Sequence, residues 1–408
     1  MTRRDIECLL LPVYTPIRTD EPDVSTGQVF FGGINVYLQQ KLPLLGRLPR
    51  PLLRWLDAPW LLRWVTKRAV GTQAEFLGDL SVSMLQGTHG HQAAEVQRLV
   101  AWLSDEYRPD VILLTNLLIG GCIPEIRKNI NCKIFVWLQG DDIFLDHLPA
   151  EHRKQATALM SQLATQTDAC LVNSDFYATY MSERLSIPRS QFRVLPLAID
   201  TESYPAQFEA TSQLLHDVPS AAEPHPLRLG YFARIAPEKG LHHLVDAFIE
   251  LAKRPAGEHV QLHYGGWLGD QHRDYLQEQQ AKLEAAGLAH RHVHHGSPDR
   301  VAKIELLQSL DLFCVPTDYH ECKGLYVLEA LAAGVPVVQP AHGAFPELIQ
   351  TTAGGRLYEP GNKIALVDAL ESLIVDHASR RQLAFAGHSS VHQRHSIGEQ
   401  ATRLLELL

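Results

Sequence analysis

The feature that most constrains this chain is a rhythm in its apolar residues. Short runs rich in Val, Ile and Leu recur, accompanied by helix-length amphipathic stretches. In the first half the runs are DVILLT (110–115), CKIFVWL (132–138) and ACLVNS (169–174). Segments such as HGHQAAEVQRLVAWLSDEY (89–107) and PAEHRKQATALMSQLAT (149–165) have the length and patterning of helices. Continuous apolar runs this short suit strands buried on both faces, and their alternation with helices predicts parallel βαβ units.

The rhythm then restarts. LRLGYFA (227–233), VQLHYGG (260–266), LDLFCVPT (310–317) and VPVVQP (335–340) are each followed by a helical stretch. Before them, residues 206–226 are rich in Pro, Ala, Ser and Glu and hold no clear strand. The predicted class is α/β, with two Rossmann-like doubly wound domains facing across a cleft. Their expected bounds are 1–205 for an N-terminal acceptor-side domain and 227–385 for a C-terminal donor-side domain, joined by a linker at 206–226. A C-terminal helical segment, 386–408, is expected to pack back on the first domain. A length of 408 residues fits two domains, and ligands of such sheets bind outside the carboxyl ends of the strands.

Bulk properties narrow the function classes. A net charge of -9 disfavours non-specific nucleic-acid binding, which needs a basic face. The six cysteines form no CxxC pair and read as reduced core-filling thiols. The N-terminal MTRRDIECLLLPVY is too short and too broken by Glu7 and Pro12 for a signal peptide, and fits a buried first strand. The expected location is cytoplasmic.

Four charged positions stand out. In GYFARIAPEKGLHHLVDAFIEL (230–251) a strand ends near Ala233 and a helix starts near Gly240, with Leu241, Leu244, Val245, Phe248 and Leu251 on one buried face. Arg234 and Lys239 thus fall in a strand-to-helix loop. A guanidinium fork and a lysine point charge suit a diphosphate; two solvated loop cations are the plainer reading. In HECKGLYVLEALAAGVPVVQP (320–340) a helix is predicted from near Gly324, with Leu325, Leu328, Leu331 and Ala332 as its core stripe and Gly334 as its C-cap. Glu321 precedes that helix and Glu329 lies about one and a half turns into it. A separation of eight places them at different parts of one extended ligand, with the N–H groups near Gly324 and Leu325 open to an anion between them. Dipole complementation by Glu321 and solvation of Glu329 is the alternative. Gly32 and Gly33, in FFGGINVYLQQ (30–40), would let backbone approach a ligand ahead of another helix, or form an ordinary tight turn.

Taken in order, Arg234, Lys239, Glu321 and Glu329 resemble the signature of family 4 of the retaining glycosyltransferases, which have the GT-B fold. The resemblance is strongest at YFARIAPEKGLHHLVDAF and HECKGLYVLEALAAGVPVVQPAHGAFPELI, where the family's E-x7-E spacing is intact, and extends to LVNSDFYATYMSERLSIPRSQFRVLPLAID (171–200). It implies transfer of a sugar from a UDP- or GDP-sugar donor to a hydroxyl acceptor, with retention and without metal or other cofactor. It assigns Arg234 and Lys239 to the donor diphosphate, Glu321 to donor-sugar hydroxyls and Glu329 to the nucleotide ribose. Gly324 and Leu325 would contact sugar or phosphate, Gly33 would supply the opposite phosphate wall, and the loop holding Gly296 and Ser297 would lie near the base. One departure is visible. Where many relatives carry a histidine in the first domain, this chain has WLQGDDIF, with Gln139 in its place. Asp141 or Asp142 could then serve the acceptor or the donor sugar, or cap the next helix.

Residues 41–70 carry seven Lys or Arg against Asp57, interleaved with Trp55, Trp60 and Trp64. That pattern fits peripheral contact with an anionic membrane, or helices packed on the first domain with arginines outward. HRHVHHG (290–296) has the alternation of a strand edge rather than metal-ligand spacing. The competing functions are a non-catalytic sugar-nucleotide binder and a phosphorylase or epimerase on the same scaffold.

Overall fold

A computed structural model describes residues 6–13, 30–31, 74–208 and 226–408. Gly32, Gly33, the basic segment 41–70 and nearly all of the 206–226 linker lie outside the described residues. The described residues fall into two units. The first comprises those up to Val172, with Ala178–Val194 and Leu407–Leu408; the second comprises Asn173–Tyr177 and Leu195–Glu406. The expected boundary at 205 therefore falls inside the second unit, as does the C-terminal segment up to Glu406.

The first unit holds a four-stranded parallel sheet in the order β1 (Val111–Leu114), β2 (Lys133–Trp137), β3 (Ala169–Val172), β4 (Phe192–Val194). The helices of this part of the chain are α1 (Ala74–Leu85), α2 (Ala93–Trp102), α3 (Ile123–Asn129), α4 (Asp141–Asp146), α5 (Ala150–Ala164) and α6 (Asp175–Leu185). The apolar runs at 132–138 and 169–174 lie mid-sheet, where helices cover both faces and leave Ile134, Val136, Cys170, Leu171 and Val172 fully buried. Within the N-terminal run, Val13 makes an isolated parallel bridge to Phe30. Pro12 offers no N–H to a ladder. All six cysteines are free thiols and five of them are buried.

The second unit is built on a six-stranded parallel sheet: β10 (Gly355–Tyr358), β9 (Val337–Pro340), β8 (Leu312–Cys314), β5 (Leu227–Phe232), β6 (Val260–Gly265), β7 (His292–His294). From β5 the chain winds outward through β6 and β7, then returns to lay β8 on the other side of β5. The loops leaving β5 and β8 thus diverge at a topological switch point, where doubly wound sheets open a crevice.

The helices of this unit are α7 (Leu241–Leu251), α8 (Arg273–Ala285), α9 (Arg300–Gln308), α10 (Leu325–Ala332), α11 (Phe345–Thr352), α12 (Lys363–Val375), α13 (His377–Arg394) and α14 (Ile397–Leu407). All five predicted core positions of α7 are buried, and each such side chain contributes roughly 1.5–3 kcal/mol. α10 ends as its sequence implies. Gly334 takes φ 79°, its N–H donates to Leu331 O at 2.9 Å and that of Val335 to Ala330 O at 2.9 Å, a Schellman closure. One stripe residue differs: Leu325 is 40% exposed, because it occupies the first helical position at the mouth of the switch point. No helix among the described residues is long and apolar enough to cross a membrane.

Candidate active site

The loop after β5 carries Arg234 and Lys239. It ends in a short 3-10 turn, Pro237–Lys239, and then Gly240, whose φ of 74° starts α7. A Cβ at Gly240 would lie 1.7 Å from the Pro316 carbonyl oxygen, so only glycine lets this loop seat against the loop after β8. The Asp318 N–H donates to Glu238 O at 3.1 Å and joins the two loops a second time. This seating turns Lys239 inward.

Lys239 and Glu321 meet there. Lys239 Nζ donates to Glu321 Oε2 at 2.6 Å, with side chains 10% and 7% exposed. Tyr319 Oη donates to the same oxygen at 2.7 Å and Tyr326 Oη at 3.0 Å. Lys239 also donates to the Tyr319 hydroxyl, and its Nζ lies 4.8 and 5.2 Å from the Tyr319 and Tyr326 ring centres. Three donors thus converge on Oε2, while Oε1 receives the Lys323 N–H at 3.3 Å. Burial pushes the Glu321 carboxyl up, but the Lys239 ammonium and the surrounding donors outweigh it and hold the group below its ordinary value. Glu321 is therefore a carboxylate, able to accept hydrogen bonds and poorly suited to donate a proton.

Arg234 is separated from this cluster in environment. Its side chain is 51% exposed and pairs with Glu238 at 3.1 Å. Glu329 Oε1 accepts from Lys303 Nζ at 2.7 Å, each side chain 20% exposed, so this carboxylate has a cation partner from α9. Gly324 caps α10 with φ 73° and no side-chain cap, leaving the first N–H groups of the helix, from Leu325 onward, directed at the switch point. Gly296, φ 66°, follows edge strand β7 and accepts the Gly266 N–H at 2.7 Å, with Ser297 exposed beside it.

In the first unit, Asp141 begins α4 and is buried. Its Oδ1 accepts the Leu117 N–H at 2.8 Å and its Oδ2 the Gln139 N–H at 3.1 Å. Both oxygens are engaged with backbone N–H groups outside α4, whose N-cap, Gly140, has no side-chain cap, so Asp141 ties the Leu117 turn to the loop after β2 rather than capping the helix. Burial pushes this carboxyl up to about 6, against the pull of those N–H groups. Asp142 is also buried and Gln139 is half-buried.

Sequence reasoning missed Tyr319 and Tyr326. Their signal was present: each flanks the motif acid within five residues, and a buried tyrosine hydroxyl needs a polar partner.

Residues 217–389 match the family model described as glycosyl transferases group 1. The phosphatidyl-myo-inositol mannosyltransferase of Mycobacterium leprae is 31% identical over 157 residues, 38% of this chain and 39% of the relative. The lipopolysaccharide core biosynthesis mannosyltransferase LpsB of Rhizobium meliloti is 27% identical over 253 residues, 61% of this chain and 67% of the relative. This chain thus spans about two fifths of the first relative and about two thirds of the second. Among solved structures, HepE of Anabaena in complex with UDP superposes with a TM-score of 0.63 at 20% identity, covering 79% of this chain and 84% of that one. The architecture is two parallel-sheet α/β domains of the GT-B kind, and residues 217–389 carry the similarity to the glycosyl transferase model.

Proposed function

We propose that this protein is a retaining glycosyltransferase that moves a hexosyl group from a UDP- or GDP-sugar to a hydroxyl acceptor, in glycan, polysaccharide or glycolipid synthesis. The observation that carries the reading is the buried Lys239–Glu321 pair at the switch point of a sheet whose segment matches the glycosyl transferase model. HepE was solved in complex with UDP and the two sequence relatives are mannosyltransferases, which supports a nucleotide-hexose donor.

In this reading the donor diphosphate lies over the N-terminus of α10, between Arg234 and Lys239. These cations and the uncapped N–H groups at Gly324 and Leu325 stabilise charge on the departing nucleotide without a metal on the diphosphate. Arg234 has an exposed, weakly held partner in Glu238, so it can turn to phosphate at little cost. Glu321 positions the sugar. Three donors occupy its Oε2, so Oε1 is the oxygen that receives sugar hydroxyls. The C1–O bond breaks toward an oxocarbenium-like sugar, the acceptor oxygen attacks the same face, and its proton passes to a phosphate oxygen of the leaving group. Glu329 holds the ribose, with Lys303 paired to its Oε1. Gly296 and Ser297 lie at the base. Tyr319 and Tyr326 are positioning residues that act through Glu321.

A panel of UDP- and GDP-hexoses, scored for binding and for slow hydrolysis, tests this. One donor should bind saturably and release nucleotide, and Lys239→Ala should lower that release at least tenfold. Binding without hydrolysis or transfer to any offered acceptor would identify a non-catalytic binder instead.

A further inference from the structure

Among the described residues, His242, His243 and Asp318 form the one group of three metal-ligating side chains whose ligand atoms all lie within 4.8 Å of one another. His243 Nε2 is 2.5 Å from Asp318 Oδ1 and His242 Nε2 is 3.8 Å from Asp318 Oδ2. The other nitrogen of His242, Nδ1, is 2.9 Å from the Tyr275 hydroxyl, which also accepts the His242 N–H at 3.0 Å. A ring held this way at Nδ1 presents Nε2 to a ligand, the arrangement that orients metal-binding histidines elsewhere. The two rings are half-buried, with centres 3.9 Å apart at the first turn of α7, and Asp318 is exposed in the loop after β8.

We propose that His242, His243 and Asp318 form a zinc-class divalent metal site that fastens the first turn of α7 to the loop after β8. Two imidazoles and one carboxylate suit zinc, with a fourth position left to water; magnesium prefers oxygen ligands in an octahedron. Ligand atoms each about 2.0–2.1 Å from one ion in a tetrahedron lie roughly 3.4 Å apart, so a cluster whose atoms lie within 4.8 Å of one another closes by at most about 1.4 Å while the His243–Asp318 contact opens. As the ion enters, the hydrogen between His243 and Asp318 moves to Nδ1 of that ring or to solvent. The site differs from a metal on a donor diphosphate, since it takes no atom from Glu321 or Glu329. Its consequence is positional. Lys239 precedes His242 by three residues and Tyr319 follows Asp318, so the ion would lock the two loops that hold the Lys239–Glu321 pair.

The test is equilibrium dialysis of the full chain, stripped with chelator, against zinc and then magnesium. Circular dichroism would establish that each variant is folded. Cobalt substitution would report the donor atoms, because the chain has six thiols. We expect one saturable zinc equivalent, a cobalt spectrum without thiolate charge transfer, and binding at least tenfold weaker in His243→Ala and Asp318→Asn. His294→Ala should bind as wild type. Zinc should raise the unfolding temperature of the wild type and leave that of Asp318→Asn unmoved. Absence of a saturable equivalent, retention of it in both variants, equal loss in His294→Ala, or a thiolate cobalt spectrum would each overturn the site. Asp318→Asn preserves shape at an exposed position, so it decides the matter even where His243→Ala fails to fold.

Discussion

Lys239 Nζ and Glu321 Oε2 lie 2.6 Å apart, each side chain about nine-tenths buried, although 82 residues separate them in the chain. The pair joins the loop after β5 to the loop after β8 and is sealed by two tyrosines. Removing one member leaves the other charge buried and unmatched, which costs about 3–5 kcal/mol. Lys239→Met should therefore lower the denaturation midpoint strongly, and Lys239→Met with Glu321→Gln should recover most of that loss. Urea denaturation of wild type, Lys239→Met, Glu321→Gln and the double variant measures the coupling; additive losses would show that the pair is solvated.

The tyrosines should matter for activity as well as for stability. Tyr326→Phe and Tyr319→Phe each remove one donor to a buried carboxylate, worth about 1.5–3 kcal/mol. The fold keeps its packing because each ring remains. Under the proposed function, each variant should lose at least fivefold in kcat with donor KM less affected, since the residues hold Glu321 in place rather than touch the nucleotide. Steady-state kinetics with saturating acceptor would show the split.

Glycine 240 gives a steric prediction. Gly240→Ala places a methyl 1.7 Å from the Pro316 carbonyl oxygen at a φ of 74°. Neither backbone can yield without parting the two loops, so the expected destabilisation is about 4 kcal/mol or more. Thermal unfolding reads it, and Gly287→Ala serves as a control: its φ is 75° and its Cβ would meet nothing within 4 Å, so only the φ strain remains.

Asp141 should leave a mark on the pH dependence of stability. Its folded carboxyl titrates at about 6, above an ordinary unfolded value of about 3.9. Between those values the folded state binds more protons than the unfolded one, so this group's contribution falls as pH rises from about 4 to 6, by on the order of 2–3 kcal/mol. Glu321 acts in the opposite sense. Its lowered folded value adds stability that is present above about pH 4.3 and is lost as pH falls through that lowered value. Unfolding free energies of wild type and Asp141→Asn, measured from pH 4 to 7, should diverge with the Asp141 sign; parallel curves would refute the assignment.

Which parts of this could be read from the chain follows from how each element is buried. Strands β3 and β9 are covered on both faces, so their apolar runs were legible, as were the starts of α7 and α10 from glycine and periodicity. Strands β4 and β10 lie at sheet edges, have three and four residues, and are partly exposed, which leaves no run to recognise. Edge strand β7 betrayed itself through the alternation in HRHVHHG. Within the site, Arg234 and Lys239 look alike in sequence, because an irregular loop has no period from which to infer facing. The structure separates them: one is exposed and paired with Glu238, the other is buried against Glu321. The spacing did place Glu321 ahead of α10 and Glu329 within it. The partners of each acid came from other elements and were not.

Glu329 offers the clearest separation of binding from chemistry. It is fixed by Lys303 at 2.7 Å and lies on α10, away from the oxygen of Glu321 that would face the sugar. If it holds the ribose, it contributes to ground state and transition state alike, and its loss should raise donor KM with little change in kcat. Glu329→Gln should therefore raise donor KM about five- to twentyfold, a cost of about 1–2 kcal/mol for a hydrogen bond to a charged group. The fold should lose little, because the isosteric Gln keeps a side-chain oxygen for the Lys303 ammonium to donate to. Lys303→Met is the companion variant: it leaves the carboxylate in place and should move KM less. A fall in kcat with unchanged KM in Glu329→Gln would instead place this residue with the reacting groups.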